Sequence, residues 1–170
     1  MNLDEISARL EIQQLLYRYC RGVDRGDKSI LASVYHEGAQ DDHGGFKGAG
    51  ADFAVWIVDE MDKAHTIGQH HITNMLIEVA GDTARGESYF LAYHPAAVPD
   101  GDGQEGLALA GGRYLDVFER RDGRWAITDR RVVIDFTRAP APPLPWEAEP
   151  AFAQSGRREA DPSHGIIAVS

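Results

Sequence analysis

Residues 107–136 read LALAGGRYLDVFERRDGRWAITDRRVVIDF, and the reading of the fold turns on them. Asp122-Gly123 is a strong two-residue hairpin signal, because both central positions of such a turn need positive φ. It separates two long runs rich in β-branched and aromatic residues, Leu107 to Arg121 and Trp125 to Phe136, so the stretch is predicted to be a strand hairpin. Upstream, Gly86 to His94 reads as a further strand. Before it, Thr73, Met75, Ile77 and Val79 alternate with more polar neighbours up to a turn at Gly81-Asp82. The segment Pro95 to Gly106, rich in Pro, Gly, Asp and Ala, reads as a loop.

Ahead of the strands the period changes from two to three and four. Leu3, Ile6, Leu10, Ile12, Leu15, Leu16, Tyr19, Cys20 and Val23 mark one long helix, with Asn2 and Glu5 as a capping box and Gly22 and Gly26 at its end. Asp27 is placed to cap a short second helix with Ile30, Leu31, Val34 and Tyr35 on its buried side. The polar stretch Gln40 to Gly45 leads into a third helix carrying Phe53, Trp56, Ile57 and Met61 on one face. Helices followed by a run of antiparallel strands is the α+β pattern, in which helices cover one face of a curved sheet and leave an interior cavity. After Arg138 four prolines fall within Pro140 to Pro145, which predicts an extended arm over 139–170 following a domain over 1–138.

With 170 residues, 43% hydrophobic and 26% charged, the chain supports one core without staples, and the single Cys20 rules out an internal disulfide. Cys20 reads as a helix-face core residue. The net charge of −10 opposes binding to nucleic acid or to an anionic membrane, and no apolar run approaches the roughly 20 residues of a membrane span. A cytoplasmic location and a small neutral ligand are the corresponding expectations.

Several residues can carry chemistry. Asp24 ends the apolar face of the first helix, either as a turn aspartate beside Gly22 and Gly26 or as a carboxylate at the rim of the core. Tyr19 is one and a half turns earlier. His70 and His71 open a strand with an apolar face, so one imidazole turns inward; such a histidine with a carboxylate partner makes a general base near neutral pH. Plain alternation from Met75 selects His71. His43 stands beside Asp41 and Asp42, and His94 at the mouth of the long loop. On the last strand Arg130 shares a face with Val132, Ile134 and Phe136. Its guanidinium either enters the cavity or pairs with an acid on a neighbouring strand. No histidine pair has metal-site spacing, and neither a phosphate loop nor a nucleophile elbow is present, so no metal or organic cofactor is expected.

The order of these signals resembles the SnoaL-like branch of the nuclear-transport-factor-2-like superfamily from about Leu10 to Phe136. The resemblance is carried by Ile12 to Tyr19, Gly22-Val23-Asp24, Asp41-Asp42-His43-Gly44, His70-His71-Ile72-Thr73-Asn74, Gly112-Arg113-Tyr114, Phe118 to Gly123, and Arg130-Arg131-Val132-Val133. It implies a cone-shaped sheet and chemistry without metal or organic cofactor. In the dehydratase and dehydrochlorinase members an aspartate ending the first helix pairs with a histidine opening the first long strand, which places those roles on Asp24 and His70. A β-bulge would reconcile His70 with the alternation that selects His71. Tyr19 resembles the tyrosine of bile-acid dehydratases, His43 falls where scytalone dehydratase has a tyrosine, and Arg130 resembles an arginine near the pocket of several members.

The implied function is a lyase, either a dehydratase or a formaldehyde-releasing enzyme, acting on a small hydroxylated aromatic, steroid or polyketide-like molecule. Asp24, His70, Tyr19, His43 and Arg130 are its expected catalytic residues. His71, Phe53, Trp56, Phe90 and His94 are expected to contact substrate. The rivals are an isomerase or cyclase and a non-catalytic binding protein of the kind that serves as a dioxygenase small subunit. Assembly as a homo-oligomer, trimer or dimer, is expected with either.

Overall fold

The structure, a computed structural model, describes residues 1–63, 67–97, 105–141 and 155–164. Helix α1 (Leu3–Arg25) starts as its sequence predicts, with the Asn2 side chain accepting the Glu5 amide at 2.8 Å. It ends at Gly26, whose φ of 66° lets its amide reach back to the carbonyls of Gly22 and Val23. Asp27 then caps α2 (Lys28–Ser33) through the Ile30 amide. The buried stripe of α1 is Ala8, Ile12, Leu15, Leu16, Tyr19, Cys20 and Val23. Ile12, Leu15 and Leu16 are essentially fully buried, each stabilising the fold by about 1.5–3 kcal/mol. Leu3, Ile6 and Leu10 are spaced by three and four among themselves but are exposed, because they fall on the side of the helix opposite the buried stripe.

The chain then makes β1 (Tyr35–Asp42) and β2 (Lys47–Ala49), helix α3 (Gly50–Lys63), and four long strands, β3 (Gln69–Ala80), β4 (Thr83–Ala97), β5 (Glu105–Arg121) and β6 (Arg124–Ala141). They form one curved, unclosed sheet in the order β2-β1-β6-β5-β4-β3. All neighbours are antiparallel except β1 and β6, which run parallel. The α+β cone expected from the sequence is therefore the fold. The Asp122-Gly123 turn has both φ values positive, at 52° and 78°.

Three expectations are corrected. Val34 and Tyr35 lie outside α2, and Tyr35 opens β1, a strand not anticipated. Its sequence, YHEGAQDD, buries Tyr35, His36, Ala39 and Asp41 rather than an alternating hydrophobic series, so alternation gives it no signal. The predicted loop from Pro95 to Gly106 is strand at both ends, since β4 runs to Ala97 and β5 starts at Glu105, and residues 98–104 between them lie outside the described residues. The arm also starts later than Ala139, because β6 continues to Ala141, paired with Leu107. The central prolines of the arm lie outside the described residues. Near its end, residues 155–164 are pinned to the helices: Asp161 pairs with Arg25 at 3.2 Å, Ser163 accepts from Arg21 at 3.1 Å, and Arg157 and Arg158 both pair with Asp62.

Candidate active site

The mouth of the cone holds a cavity of about 360 Å³, within the range of small-molecule sites. Its walls are mainly apolar, from Val23 of α1, Phe53, Ile57 and Met61 of α3, and Phe90, Ala92, Ala110, Val132 and Ile134 of the sheet. Polar groups converge on this surface: Tyr19, His43, His70, His94, Tyr114 and, from α3, Glu60.

Asp24 and His70 meet. His70 Nδ1 lies 2.6 Å from Asp24 Oδ1, and the His70 backbone amide donates to Asp24 Oδ2 at 3.0 Å. A carboxylate in the last turn of a helix faces the negative end of the helix dipole, so burying Asp24 there is unfavourable until these two donors satisfy it. With Nδ1–H committed to Asp24, the neutral ring keeps its lone pair on Nε2, and this ring borders the cavity. A smaller cavity of about 250 Å³ adjoins the outer side of the pair, between Asp24, Arg21, Arg25 and Ile72.

What turns His70 inward is an irregularity in β3. Ile72 pairs with Phe90 but Met75 pairs with Ser88, so β3 carries one extra residue there, and the inward series changes phase at Thr73 and Asn74. His71, expected to contact substrate, is corrected by the same bulge. It is exposed on the other face against the Tyr93 ring, 5.8 Å between centroids, and does not line the cavity.

His43 has a carboxylate of its own. Its Nδ1 bonds Asp41, its Nε2 lies 3.1 Å from the Tyr19 hydroxyl, and its ring stacks on Phe53 at 4.1 Å. Tyr35 donates to the other oxygen of Asp41 at 2.6 Å. Burial lowers the His43 pKa against the pull of Asp41, and burial raises that of Tyr19.

Arg130 takes the second of its two sequence readings. It makes a bidentate pair with Asp116 of the neighbouring strand at 2.7 and 2.8 Å, with both side chains fully buried. Its guanidinium lies 4.1 Å from the Tyr19 ring centroid and 4.2 Å from that of Tyr114. It is not among the lining residues and sits behind the two tyrosines that are. Burial pushes the Asp116 carboxyl up while the guanidinium pulls it down, and the attraction holds Arg130 charged. Trp56 is likewise corrected: it packs on Phe46 and Phe53, behind the wall. Phe53, Phe90 and His94 do line it. The Cys20 thiol, pushed up to about 12 chiefly by burial, is a core group.

The sequence reading missed Asp116, Tyr35, Tyr114 and Glu60, and named Asp41 only as a neighbour of His43. Spacing held a signal for Asp41, two residues from His43 in an extended segment and so on its side of the chain. Among the described residues, no group of three or more His, Cys, Asp or Glu is placed to hold a metal ion.

His94 lies edge-on to His70, 5.1 Å between ring centroids. Burial, and then the His70 charge, depresses its pKa from 6.5 to about 4. Between these values the unfolded chain binds a proton that folded His94 refuses, so stability should rise with pH across this window. His94→Gln is expected to reduce that rise. Urea titrations from pH 4 to 7 check this, and an unchanged slope would contradict it.

A SnoaL-like domain model matches residues 4–131. The uncharacterised protein Rv2910c of Mycobacterium tuberculosis is 32% identical over 133 residues, which is 76% of this chain and 87% of that protein. The hexachlorocyclohexane dehydrochlorinase LinA-type3 of Novosphingobium barchaimii superposes with a TM-score of 0.71 at 25% identity, covering 85% of this chain and 99% of that one. A scytalone dehydratase-like protein of Novosphingobium aromaticivorans gives 0.67 at 20% identity, covering 84% and 97%. The domain match spans Asp24 and Asp41, both their histidines and the Arg130 ion pair, and by it the chain belongs to the SnoaL-like family.

Proposed function

We propose that this protein is a lyase working by general-base elimination, with His70 as the base and Asp24 as the carboxylate that orients it and stabilises the imidazolium. The observation that carries the reading is the 2.6 Å contact between Asp24 Oδ1 and His70 Nδ1, which leaves Nε2 as a base beside an apolar cavity. His70 removes a proton from the substrate, and the polar wall formed by Tyr19 and His43 assists the departing group. The aromatic lining and the cavity's size favour a small hydroxylated aromatic, polyketide-like or steroid substrate, dehydrated or relieved of formaldehyde. No metal or organic cofactor takes part.

Incubation with a panel of such hydroxylated compounds, read by mass spectrometry, tests the proposal. A product lighter by water or formaldehyde, formed by the wild type and not by His70→Ala, supports it. A product of unchanged mass would make the protein an isomerase running on the same base, and no turnover across the panel would favour a binding role.

The protein is further proposed to be cytoplasmic and to self-associate through the outer face of its sheet, where Leu76 is 68% exposed beside half-exposed Tyr89. Light scattering at micromolar concentration is expected to give a dimer or trimer, and a monomer would count against it.

A further inference from the structure

The cavity is served by two histidines, each with a private carboxylate, arriving from opposite edges of the sheet: His70 on β3 and His43 after β1. One base suffices to remove a proton, so the second pair needs a task of its own. Its geometry is a chain. Tyr35 donates to Asp41, Asp41 accepts from His43 Nδ1–H, and His43 Nε2 faces the hydroxyl of Tyr19, a residue of the cavity wall.

The direction of that chain depends on one proton. While His43 is neutral, Nε2 accepts from the Tyr19 hydroxyl, and Tyr19 has no proton to offer the cavity. Once His43 is charged, Nε2–H donates to Tyr19 Oη and frees the Tyr19 proton. We propose that Asp41, His43 and Tyr19 form a relay that delivers this proton to a departing substrate hydroxyl, which leaves as water. The proposal rests on the elimination reading with His70 as base.

The step balances. The substrate C–H proton passes to His70 Nε2, its electron pair becomes the new C=C bond, and the C–O bond breaks toward oxygen. That oxygen takes the Tyr19 proton, and Tyr19 takes the proton of His43 Nε2. The site then holds its extra proton on His70 instead of His43, and solvent exchange returns it. A halide departs as a stable anion without such help, whereas hydroxide does not, so the relay selects substrates that lose an oxygen.

The surroundings suit a group that releases its proton readily. Burial, the Arg130 charge from β6 and the His70 charge from β3 all disfavour the His43 imidazolium, while Asp41 on β1 favours it. The remaining faces are Phe53 of α3, Tyr19 of α1 and Tyr114 of β5. Mutual repulsion between the two histidines favours one shared proton over two.

The test uses 4-nitrophenol, whose absorbance reports whether its oxygen carries a proton. It is titrated into the full chain by calorimetry at a pH where the free probe is ionised, in two buffers of different ionisation enthalpy. The expected result is binding with uptake approaching one proton per site and a spectrum shifted toward the protonated probe. His43→Gln and Tyr19→Phe should each weaken binding by roughly tenfold or more and abolish the uptake. Asp41→Asn, which leaves His43 and Tyr19 in place, should retain binding but lose the uptake. His70→Gln should alter the affinity by less than about threefold while losing turnover, so the relay and the base are judged separately. Absence of binding at millimolar probe, binding without proton uptake, or a dependence on His70 in place of His43 would each overturn the proposal.

Discussion

His70→Ala is expected to lower turnover by roughly 10²- to 10⁴-fold if chemistry limits the rate, the usual contribution of a positioned base. Asp24→Asn should lose nearly as much. An amide matches the carboxylate in shape, but it cannot stabilise an imidazolium, and its NH₂ can turn the ring to the tautomer whose Nε2 already carries a proton. Because Asp24 acts through His70, the double variant should be little worse than either single one, whereas independent roles would multiply the losses. His71→Ala is the control, expected to be mild, since His71 lies on the outer face against Tyr93. Steady-state kinetics on any compound the panel yields decides the matter. Loss on His71→Ala with His70→Ala spared would mean the β3 bulge is misplaced, and activity in both variants would remove the elimination reading.

The second large effect concerns stability. Arg130→Met leaves Asp116 buried without its partner and removes the cation from between two tyrosine rings, and it should destabilise the fold by about 3–5 kcal/mol at neutral pH. The double variant Arg130→Met with Asp116→Leu should recover most of that loss, because an apolar pair of similar volume incurs no desolvation penalty. The pH dependence gives a separate signature. In Arg130→Met, burial raises the Asp116 pKa above its unfolded value with no guanidinium to oppose it. The folded state then binds the extra proton, so the gap in stability between this variant and the wild type should narrow as pH falls below neutrality. Urea titrations at several pH values test both statements. Equal stability of wild type and Arg130→Met would show that the pair is dispensable to the core.

Pattern alone carried the fold a long way. The capping residues Asn2 and Asp27, the αL glycine at Gly26 and the Asp122-Gly123 turn are local devices, each satisfied by its own few residues, and the structure uses all of them as read. The two short strands β1 and β2 left no such trace. The inward positions of β1 include Asp41, which is buried only because Tyr35 and His43 satisfy it, and such partners are invisible until the chain has folded.

The site shows the same division at finer scale. Asp24 and His70 were candidates because a helix end and a strand start are marked in sequence, but their pairing, and the choice of His70 over the His71 that plain alternation from Met75 selects, came from the family resemblance. Counting back from the Asp122-Gly123 turn sets Arg130 opposite Leu115; an irregularity between Val117 and Phe118 sets it opposite Asp116 instead, and so makes the buried ion pair. Near the mouth a third irregularity, between Gly111 and Gly112, bends the sheet, with Phe136 lying so close over Gly111 that a Cβ there would come within 2.3 Å of its ring. The amino-acid sequence by itself determined the three helices and the four long strands and their order, because periodicity and caps depend on neighbours along the chain. Which histidine faces the cavity, which acid meets Arg130 and how His43 acquires Asp41 and Tyr19 were decided only in the tertiary structure. A single extra residue in a strand reverses the side to which every later side chain points, and its position is set by packing between strands.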